Sequence, residues 1–265
     1  MKAYSALASI LLSAAAVCGQ ETQGEFVRSL NVSGGAELDL STDSGGISVS
    51  AGPAGVIKVR AILKAQRGWL LNSNVEDRIR RIESNPPIEQ SGNRIRIGHV
   101  SDVSLMKGIS MRLEIQAPAD SRVRAQADSG GIRVEGIKGP VDCRTDSGGI
   151  RIRDVQDSVF ARADSGGIEA ISVSGPVDVA TDSGGIRVER TKAAVIRARA
   201  DSGGAQLRLA RTGGYDLWLS SSSGRVSAPS LDSGSNVSRH KASGKFRGGG
   251  PTVNVEVDSG GIVVD

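Results

Sequence analysis

Aromatic side chains are scarce in this sequence: they make up 3% of its 265 residues, which include 35 glycines. A bulky globular interior takes much of its buried area from Phe, Tyr and Trp. Without them the core must be thin and filled by Val, Ile, Leu and Ala, as it is between stacked strands. The charged fraction is an ordinary 23%, so the glycines do not indicate a disordered chain.

Histidine and cysteine are equally rare, with two of each, and this argues against several kinds of catalytic centre. His99 and His240 lack metal-ligand spacing to each other or to a cysteine. There is no Gly-x-Ser-x-Gly elbow, phosphate loop or Gly-x-Gly-x-x-Gly motif. We therefore assign no catalytic, metal-binding or cofactor-binding residue. If Cys18 is removed with the N-terminal segment, Cys143 has no partner and is predicted to be a buried, unreactive thiol.

Long apolar runs are absent after the N-terminus. Residues 6–17 (ALASILLSAAAV) follow the basic Lys2 and precede a polar stretch, which is the layout of a secretory signal peptide. The run is too short to cross a hydrocarbon layer of about 30 Å as a helix. We predict a signal peptide at residues 1–19 and an exported chain in the periplasm, on the outer-membrane surface or outside the cell. Lipidation at Cys18 stays open.

The net charge of +4 does not form a basic block. Arginines are interleaved with Asp and Glu, which predicts a solvated mixed surface rather than a nucleic-acid patch.

One phrase recurs through the chain: Asp-Ser-Gly-Gly followed by an aliphatic residue. It begins at Asp43, Asp128, Asp146, Asp164, Asp182, Asp201 and Asp258. The five central copies are 18, 18, 18 and 19 residues apart. Each unit reads turn, strand, turn, strand, with apolar and polar residues alternating in each strand. One unit cannot bury its own apolar face, so the units must stack as rungs.

The fold class predicted is all-β: a right-handed parallel β-solenoid with rungs of about 18 residues, two strands each, around a narrow core. A left-handed hexapeptide helix needs an aliphatic residue every six positions, and Lys138 and Arg144 follow Ile132 at those intervals. Right-handed winding follows from the usual handedness of parallel crossovers.

We predict one solenoid domain over residues 20–265. An insertion at 64–109 contains a short helix, since Val75, Ile79 and Ile82 share one helical face. Regular rungs occupy 111–210. Irregular rungs and a cap follow at 211–265, because the terminal rungs of a solenoid must close an open edge.

Asp-Ser-Gly-Gly is interpreted as the corner of each rung. Aspartate can accept a hydrogen bond from the N–H two residues on, and glycine tolerates positive φ. Stacked aspartates concentrate like charge that cations would relieve, but the Gly-Gly-x-Gly-x-Asp repeat of calcium β-rolls is absent, so capping is favoured over metal binding. The predicted turn ladder comprises Asp128, Gly130, Gly131, Asp146, Gly148, Gly149, Asp164, Gly166, Gly167, Asp182, Gly184, Gly185 and Asp201.

The faces between the corners are the places to look for function. The outer face of the first strand carries an aligned row of Arg133, Arg151 and Arg187 with Glu169. We interpret this row as a possible contact face for an acidic glycan or a partner protein. The alternative is a solvated, ion-paired surface, which is the ordinary state of such charges.

A second pattern lies on the outer face of the other strand, where Asp142, Phe160, Asp178 and Arg197 stack. The two carboxylates are two rungs apart, near the spacing that an inverting glycosidase uses. No aromatic sugar platform accompanies them, and alternating surface charge for solubility explains them better.

The turn Pro118-Ala119-Asp120 and the repeated Ser-Gly-Gly-Ile turns with Gly-Pro-Val between them resemble the bacterial putative-adhesin β-strand-repeat family. The resemblance covers about residues 26–265 and is strongest at 111–210. It implies an exported right-handed β-solenoid. The family shares no catalytic motif, so it carries over no functional residue.

These patterns lead to one functional prediction with two alternatives. The chain is expected to be a non-enzymatic exported adhesin or envelope interaction module that contacts a cell-surface glycan or an envelope protein, without nucleic acid and without a transmembrane helix. A self-assembling solenoid scaffold is the first alternative, and a polysaccharide-active β-helix enzyme is the second. The oligomeric state is left undetermined.

Overall fold

The computed structural model describes residues 23–66, 74–100 and 102–265, and the predicted signal peptide lies outside them. Two sheets, of eleven and twelve strands, enclose the core. The side chains between them are almost entirely Val, Ile, Leu and Ala. The molecule is therefore the β-solenoid that the repeat predicts.

The N-terminal part contains the first copy of the corner and the insertion. Its strands are β1 (Gln23–Asn31), β2 (Glu37–Ser44), β3 (Ile47–Gly52) and β4 (Val56–Ala65). They are followed by α1 (Val75–Ser84), β5 (Ile88–Ser91), β6 (Arg94–Ile97), α2 (Val103–Met106) and β7 (Ile109–Pro118).

Helix α1 confirms the helical pattern in the insertion, since Val75, Ile79 and Ile82 are its buried residues. It packs on β1. Helix α2 was not expected: its one turn forms where Asp102 accepts a hydrogen bond from the Ser104 N–H at 3.0 Å. The two helices have ten and four residues, and no helix in the described part of the chain reaches the length and hydrophobicity of a membrane span.

The regular rungs follow in chain order, each with a long and a short strand. They are β8 (Arg122–Ser129), β9 (Ile132–Glu135), β10 (Val141–Ser147), β11 (Ile150–Arg153), β12 (Val159–Ser165), β13 (Ile168–Val173), β14 (Val177–Ser183), β15 (Ile186–Arg190), β16 (Ile196–Ser202) and β17 (Ala205–Arg208). Neighbouring rungs pair parallel and in register, so Ile132, Ile150, Ile168 and Ile186 stack in the core. Cys143 is fully buried as predicted, and burial raises the pKa of its thiol.

The C-terminal part does not follow chain order. It comprises β18 (Tyr215–Ser221), β19 (Val226–Ser227), β20 (Asn236–Val237), β21 (Lys241–Phe246), β22 (Thr252–Ser259) and β23 (Ile262–Val264). Strand β22 lies between β16 and β18, and β23 lies between β17 and β19. The last copy of the phrase is therefore inside the stack, within the segment 211–265 for which we predicted irregular rungs and a cap.

The first copy is also internal: β2 lies between β6 and β8, and β3 lies between β7 and β9. Beyond these rungs three of the four sheet ends are antiparallel: β1 with β4, β5 with β6, and β20 with β21 and β18. At the fourth end β19 pairs parallel with β23. The outermost strands β19 and β20 have two residues each. Short and antiparallel edges oppose the parallel addition of another solenoid end, which disfavours the self-assembling alternative.

Candidate functional site

The first glycine of each corner has a backbone conformation that side chains resist. Its φ lies between +122° and +150° in all seven copies. At Gly184 an added Cβ would overlap the carbonyl group of Gly166 in the neighbouring rung. The second glycine lacks a positive φ, and a Cβ at Gly185 would lie 3.6 Å from the Gly204 carbonyl oxygen, an ordinary contact. Positive φ, which was predicted for glycine at the corner, is thus confined to the first of the pair.

The prediction that aspartate caps the corner is wrong. The N–H two residues after Asp128 belongs to Gly130, and it donates to the carbonyl of Ser147 in the next rung at 2.8 Å. No hydrogen bond from a described residue reaches the Asp128 carboxyl, because the corner N–H groups continue the ladder between rungs. Burial, with the charges of Asp43 and Asp146, raises the pKa of Asp128, as expected for stacked aspartates.

Buried hydroxyl groups support the corners from inside. Thr145 Oγ1 donates to the carbonyl of Gly130 at 3.1 Å, and Thr181 Oγ1 donates to that of Gly166 at 2.8 Å. Both threonines are 2% exposed, as the inward alternation predicts. The backbone N–H and carbonyl groups named here are thus paired within the stack, whereas the Asp128 carboxyl is not.

An open groove of about 1660 Å³ runs along the outer face of the eleven-stranded sheet. Small-ligand pockets usually enclose roughly 300–1,000 Å³. The predicted contact residues Arg133, Arg151 and Arg187 all line the groove. Its size suits an extended ligand better than a compact one.

One row of side chains, which we call the groove row, crosses the groove with one residue from each of ten adjacent strands, β1 to β23 in the order of the sheet. It runs Val27, Arg60, Glu114, Ser48, Arg133, Arg151, Glu169, Arg187, Gln206 and Val263. Strands lie about 4.8 Å apart, so the row spans roughly 40 Å. Beside it the second glycines form a parallel strip of exposed backbone, the glycine row: Gly131, Gly149, Gly167, Gly185 and Gly204.

The groove is predominantly basic, with six basic and two acidic residues in its lining. The basic ones are Lys58, Arg60, Arg112, Arg133, Arg151 and Arg187, and the acidic ones are Glu114 and Glu169. Glu114 already pairs with Arg60 at 3.0 Å, and Glu169 pairs with Arg151 and with Arg153. Arg60 also pairs with Glu25, and Arg187 pairs with Glu189 outside the lining. Half of the basic residues, Lys58, Arg112 and Arg133, thus have no acidic partner among the described residues.

The three predicted arginines differ in their partners. Arg151 pairs with Glu169, and Arg187 pairs with Glu189, whose pKa is lowered by hydrogen bonds from Arg187. Arg133 has no acidic partner among the described residues, and its neighbours in the groove row are Ser48 and the like-charged Arg151. The mixed ion-paired surface is present on either side of Arg133, but it does not include Arg133.

Arg112, Arg60 and Lys58 were not predicted as groove residues. They lie on β7 and β4, which are far from the regular rungs in sequence and reach the groove because β7 pairs with β3. The local sequence does not predict that these three residues lie in the groove, because their position depends on where the chain rejoins the sheet after the insertion.

The carboxylate pattern on the twelve-stranded sheet is neutralised by arginines. Asp142 lies 3.7 Å from both Arg124 and Arg144, and Asp178 pairs with Arg162 at 2.6 Å. Both carboxylates are therefore engaged by arginines of their own sheet instead of facing an open sugar site, so this face does not resemble the centre of a glycosidase.

Phe160, which lies in register between the two aspartates, is covered by the same arginines. The guanidinium carbon of Arg162 lies 4.1 Å from the centre of the ring and that of Arg144 lies 5.3 Å from it. The ring is therefore engaged in cation–π contacts and is not free to stack on a sugar.

Arg190 is a buried arginine that sequence reasoning missed. It is 7% exposed and pairs with the buried Val173 after a β-bulge that shifts the register between β13 and β15. Its Nη2 donates to the Ser174 carbonyl at 3.0 Å, whereas Nε and Nη1 are buried without a hydrogen-bond partner in the described structure. Burial lowers its pKa. Repeat alignment does not reveal it: counted from the corner aspartate, Arg190 is equivalent to Ser172, and only the β-bulge between β13 and β15 brings it opposite Val173.

Replacing Arg190 with methionine is expected to stabilise the fold by about 1–3 kcal/mol, because the buried unpaired nitrogens lose their penalty while the side chain keeps a similar length. Urea unfolding followed by circular dichroism measures the change. Arg187→Met, on the exposed face of the same strand, is the control and is expected to change stability by less than about 0.5 kcal/mol. A loss of stability in Arg190→Met would contradict the expectation.

Metal ligands do not cluster in the described residues: no three His, Cys, Asp or Glu side chains come together there in a way that could hold an ion.

The fold and the groove define a β-solenoid repeat protein with an open basic face. The chain belongs to the Toastrack DUF4097 family, whose model matches residues 29–265. This confirms the resemblance seen in the repeated Ser-Gly-Gly-Ile turns.

Three crystal structures of bacterial proteins match the chain over most of its length, at low identity and low TM-score. A putative cell adhesion protein from Clostridium sporogenes is 15% identical, with a TM-score of 0.40 and coverage of 91% of this chain and 98% of that one. A putative adhesin from Bacteroides fragilis is 12% identical, with a TM-score of 0.45 and coverage of 91% and 97%. A putative adhesin from Parabacteroides distasonis is 9% identical, with a TM-score of 0.29 and the same coverage. No curated protein matches the chain.

Proposed function

We propose that this protein is an exported, non-enzymatic interaction module, an adhesin in the broad sense, and that the groove of the eleven-stranded sheet is its contact face. The single observation that carries the proposal is the groove itself, about 1660 Å³ in volume and lined by Arg133, Arg151 and Arg187. The ligand is a cell-surface glycan or an envelope protein, met in the periplasm, on the outer-membrane surface or outside the cell.

Two features of the molecule support binding without catalysis. The groove contains no histidine, cysteine or aspartate among its lining residues in the described structure, and both of its glutamates are paired with arginines. The stacked strands also make the face rigid, so a ligand is bound without first ordering the protein.

Exposed ion pairs contribute about 0–1 kcal/mol each to stability, so a ligand can take over their arginines at little expense to the fold. The side chains of Arg151 and Arg187 are each 47% exposed within their pairs. The groove row therefore has arginines that are held in place before the ligand arrives and are still accessible to it.

Charge reversal on the groove row tests the proposal. The triple variant Arg133→Glu, Arg151→Glu, Arg187→Glu is expected to lose binding to its ligands on a glycan array by more than about tenfold, because like charges then face an acidic partner. The matched control reverses Arg122, Arg197 and Arg199, exposed arginines on the twelve-stranded sheet. Wild-type binding by the groove variant would show that the contact face is elsewhere, and release of reducing ends from a bound glycan would indicate an enzyme.

A further inference from the structure

The unpaired charges of the groove indicate the chemical class of its ligand. Arg133 and Arg112 both line the groove, are exposed, and have no acidic partner among the described residues. Arg133 also lies one strand away from Arg151, at a spacing of about 4.8 Å where like charges repel. A protein gains nothing in stability from this arrangement, whereas an anionic ligand would relieve it.

The glycine row gives the same surface an unusual accessibility. Gly131, Gly149, Gly167 and Gly185 are exposed and lie two residues before the outward positions of the groove row, on the same face of the sheet. Because they carry no side chains, a ligand that lies along them can approach the sheet backbone closely. Arg112 lies at the end of this strip, directly before Leu113, whose N–H donates to the Gly46 carbonyl at 2.9 Å.

The positive charges are spread along the groove instead of converging on one point. From Arg112 on β7 to Arg187 on β15 the surface crosses six adjacent strands, about 24 Å. A single small anion would contact one or two of these arginines. A linear polymer with an anionic group on successive units would contact several of them at once while resting on the glycine row.

We propose that the groove binds a linear anionic polysaccharide lengthwise, along the axis of the solenoid, with Arg112 and Arg133 supplying the charge that selects acidic over neutral chains. The inference rests on the proposed function and names its ligand class. Arg151 and Arg187 add contacts by exchanging their glutamate partners for the ligand.

The test uses two polymers with the same backbone. Polygalacturonate carries a carboxylate on each unit, and its methyl-esterified form is neutral. The protein is expected to bind the first at least tenfold more tightly than the second at low salt, with the difference shrinking as the salt concentration rises. Binding is measured by calorimetry or by biolayer interferometry on a protein of residues 20–265.

Substitutions then assign the difference to residues. Arg112→Gln with Arg133→Gln is expected to lower the affinity for polygalacturonate by about tenfold or more while leaving the fold intact, since neither side chain has an ion pair to lose. Arg122→Gln with Arg197→Gln removes the same charge from the other sheet and is expected to have no effect. Gly185→Ala, which adds one methyl group to the glycine row without a clash in the protein, is expected to lower the affinity severalfold.

The possible results separate this inference from the proposed function. Equal binding of the two polymers, no binding of polygalacturonate, or equal effects of the two arginine pairs would overturn the polysaccharide assignment. Stronger binding of inorganic polyphosphate than of polygalacturonate would do so as well, because the groove would then recognise charge without the sugar. If any of these occurs while the charge-reversed triple variant still loses its array ligands, the groove remains the contact face. If that variant binds normally, the proposed function fails too.

Discussion

Gly184→Ala is expected to destabilise the protein by about 3 kcal/mol or more, whereas Gly185→Ala is expected to change its stability by less than about 1 kcal/mol. The two glycines are neighbours in the same corner, and the substitution is chemically the same. The difference comes from the backbone: Gly184 has φ +149°, and Gly185 does not lie in the left-handed region.

Two terms add at Gly184. An alanine would be forced into a region of φ that is essentially restricted to glycine. Its Cβ would also overlap the carbonyl group of Gly166, and that carbonyl cannot retreat because Thr181 Oγ1 donates to it and the rung behind it is closely packed. At Gly185 the methyl group would point into the groove and lie 3.6 Å from the nearest atom, the Gly204 carbonyl oxygen.

Urea unfolding of the two variants, followed by circular dichroism, measures both changes against the wild type. Similar losses in the two variants would mean that the corner depends on the glycine pair as a unit, and would contradict the difference in φ that the structure shows.

Deleting residues 252–265 is expected to unfold the C-terminal part of the solenoid back to β16 and β17. In an ordinary solenoid the removal of the last rung leaves the others paired. Here β22 and β23 lie between two other rungs, so their loss leaves β18 and β19 without the strands they pair with on that side.

The apolar burial that is lost directly is large. Val253, Val255, Val257, Ile262 and Val264 are all at most 2% exposed. Full burial of such a side chain contributes about 1.5–3 kcal/mol, so five of them contribute roughly 7 kcal/mol or more. That is comparable to the whole stability of many domains, which is about 5–15 kcal/mol.

Hydrogen exchange detected by mass spectrometry measures the effect by region. Amides of residues 215–246 are expected to exchange rapidly in the truncated chain, and those of residues 141–190 are expected to stay protected. A synthetic peptide of residues 252–265 added in trans is expected to restore protection, since parallel strand insertion recreates both ladders. Protection of residues 215–246 without the peptide would show that β18 has moved to pair directly with β16.

Much of this architecture can be predicted from the sequence. The 18-residue spacing predicts the rungs, and the alternation of Ile132 and Val134 with Arg133 predicts which side chains face the core. Val75, Ile79 and Ile82 predict α1. The same alternation places Arg133, Arg151 and Arg187 together on an outer face. These features are local or repeat at a fixed interval, so they can be read without knowing which strand pairs with which.

The features that were missed depend on pairing between distant segments. Any two rungs have the same corner and the same alternation, so the pattern does not specify that Asp258 stacks on Asp201 or that Asp43 stacks on Asp128. The prediction that the corner aspartates accept hydrogen bonds from nearby backbone N–H groups was wrong, because those N–H groups donate to carbonyls of the next rung. Arg112 lies in the groove because β7, which follows the insertion, pairs with β3.

The sequence by itself thus determined the solenoid, its period, its core and the outward direction of its arginines, because each depends on a residue and its near neighbours. The tertiary structure decided the order of the rungs, which glycine of each pair needs a positive φ, and which arginines share a groove without acidic partners. Any two rungs can pair in parallel and in register at similar free energy. The order of the rungs and the make-up of the groove therefore depend on how the insertion and the C-terminal rung close the stack.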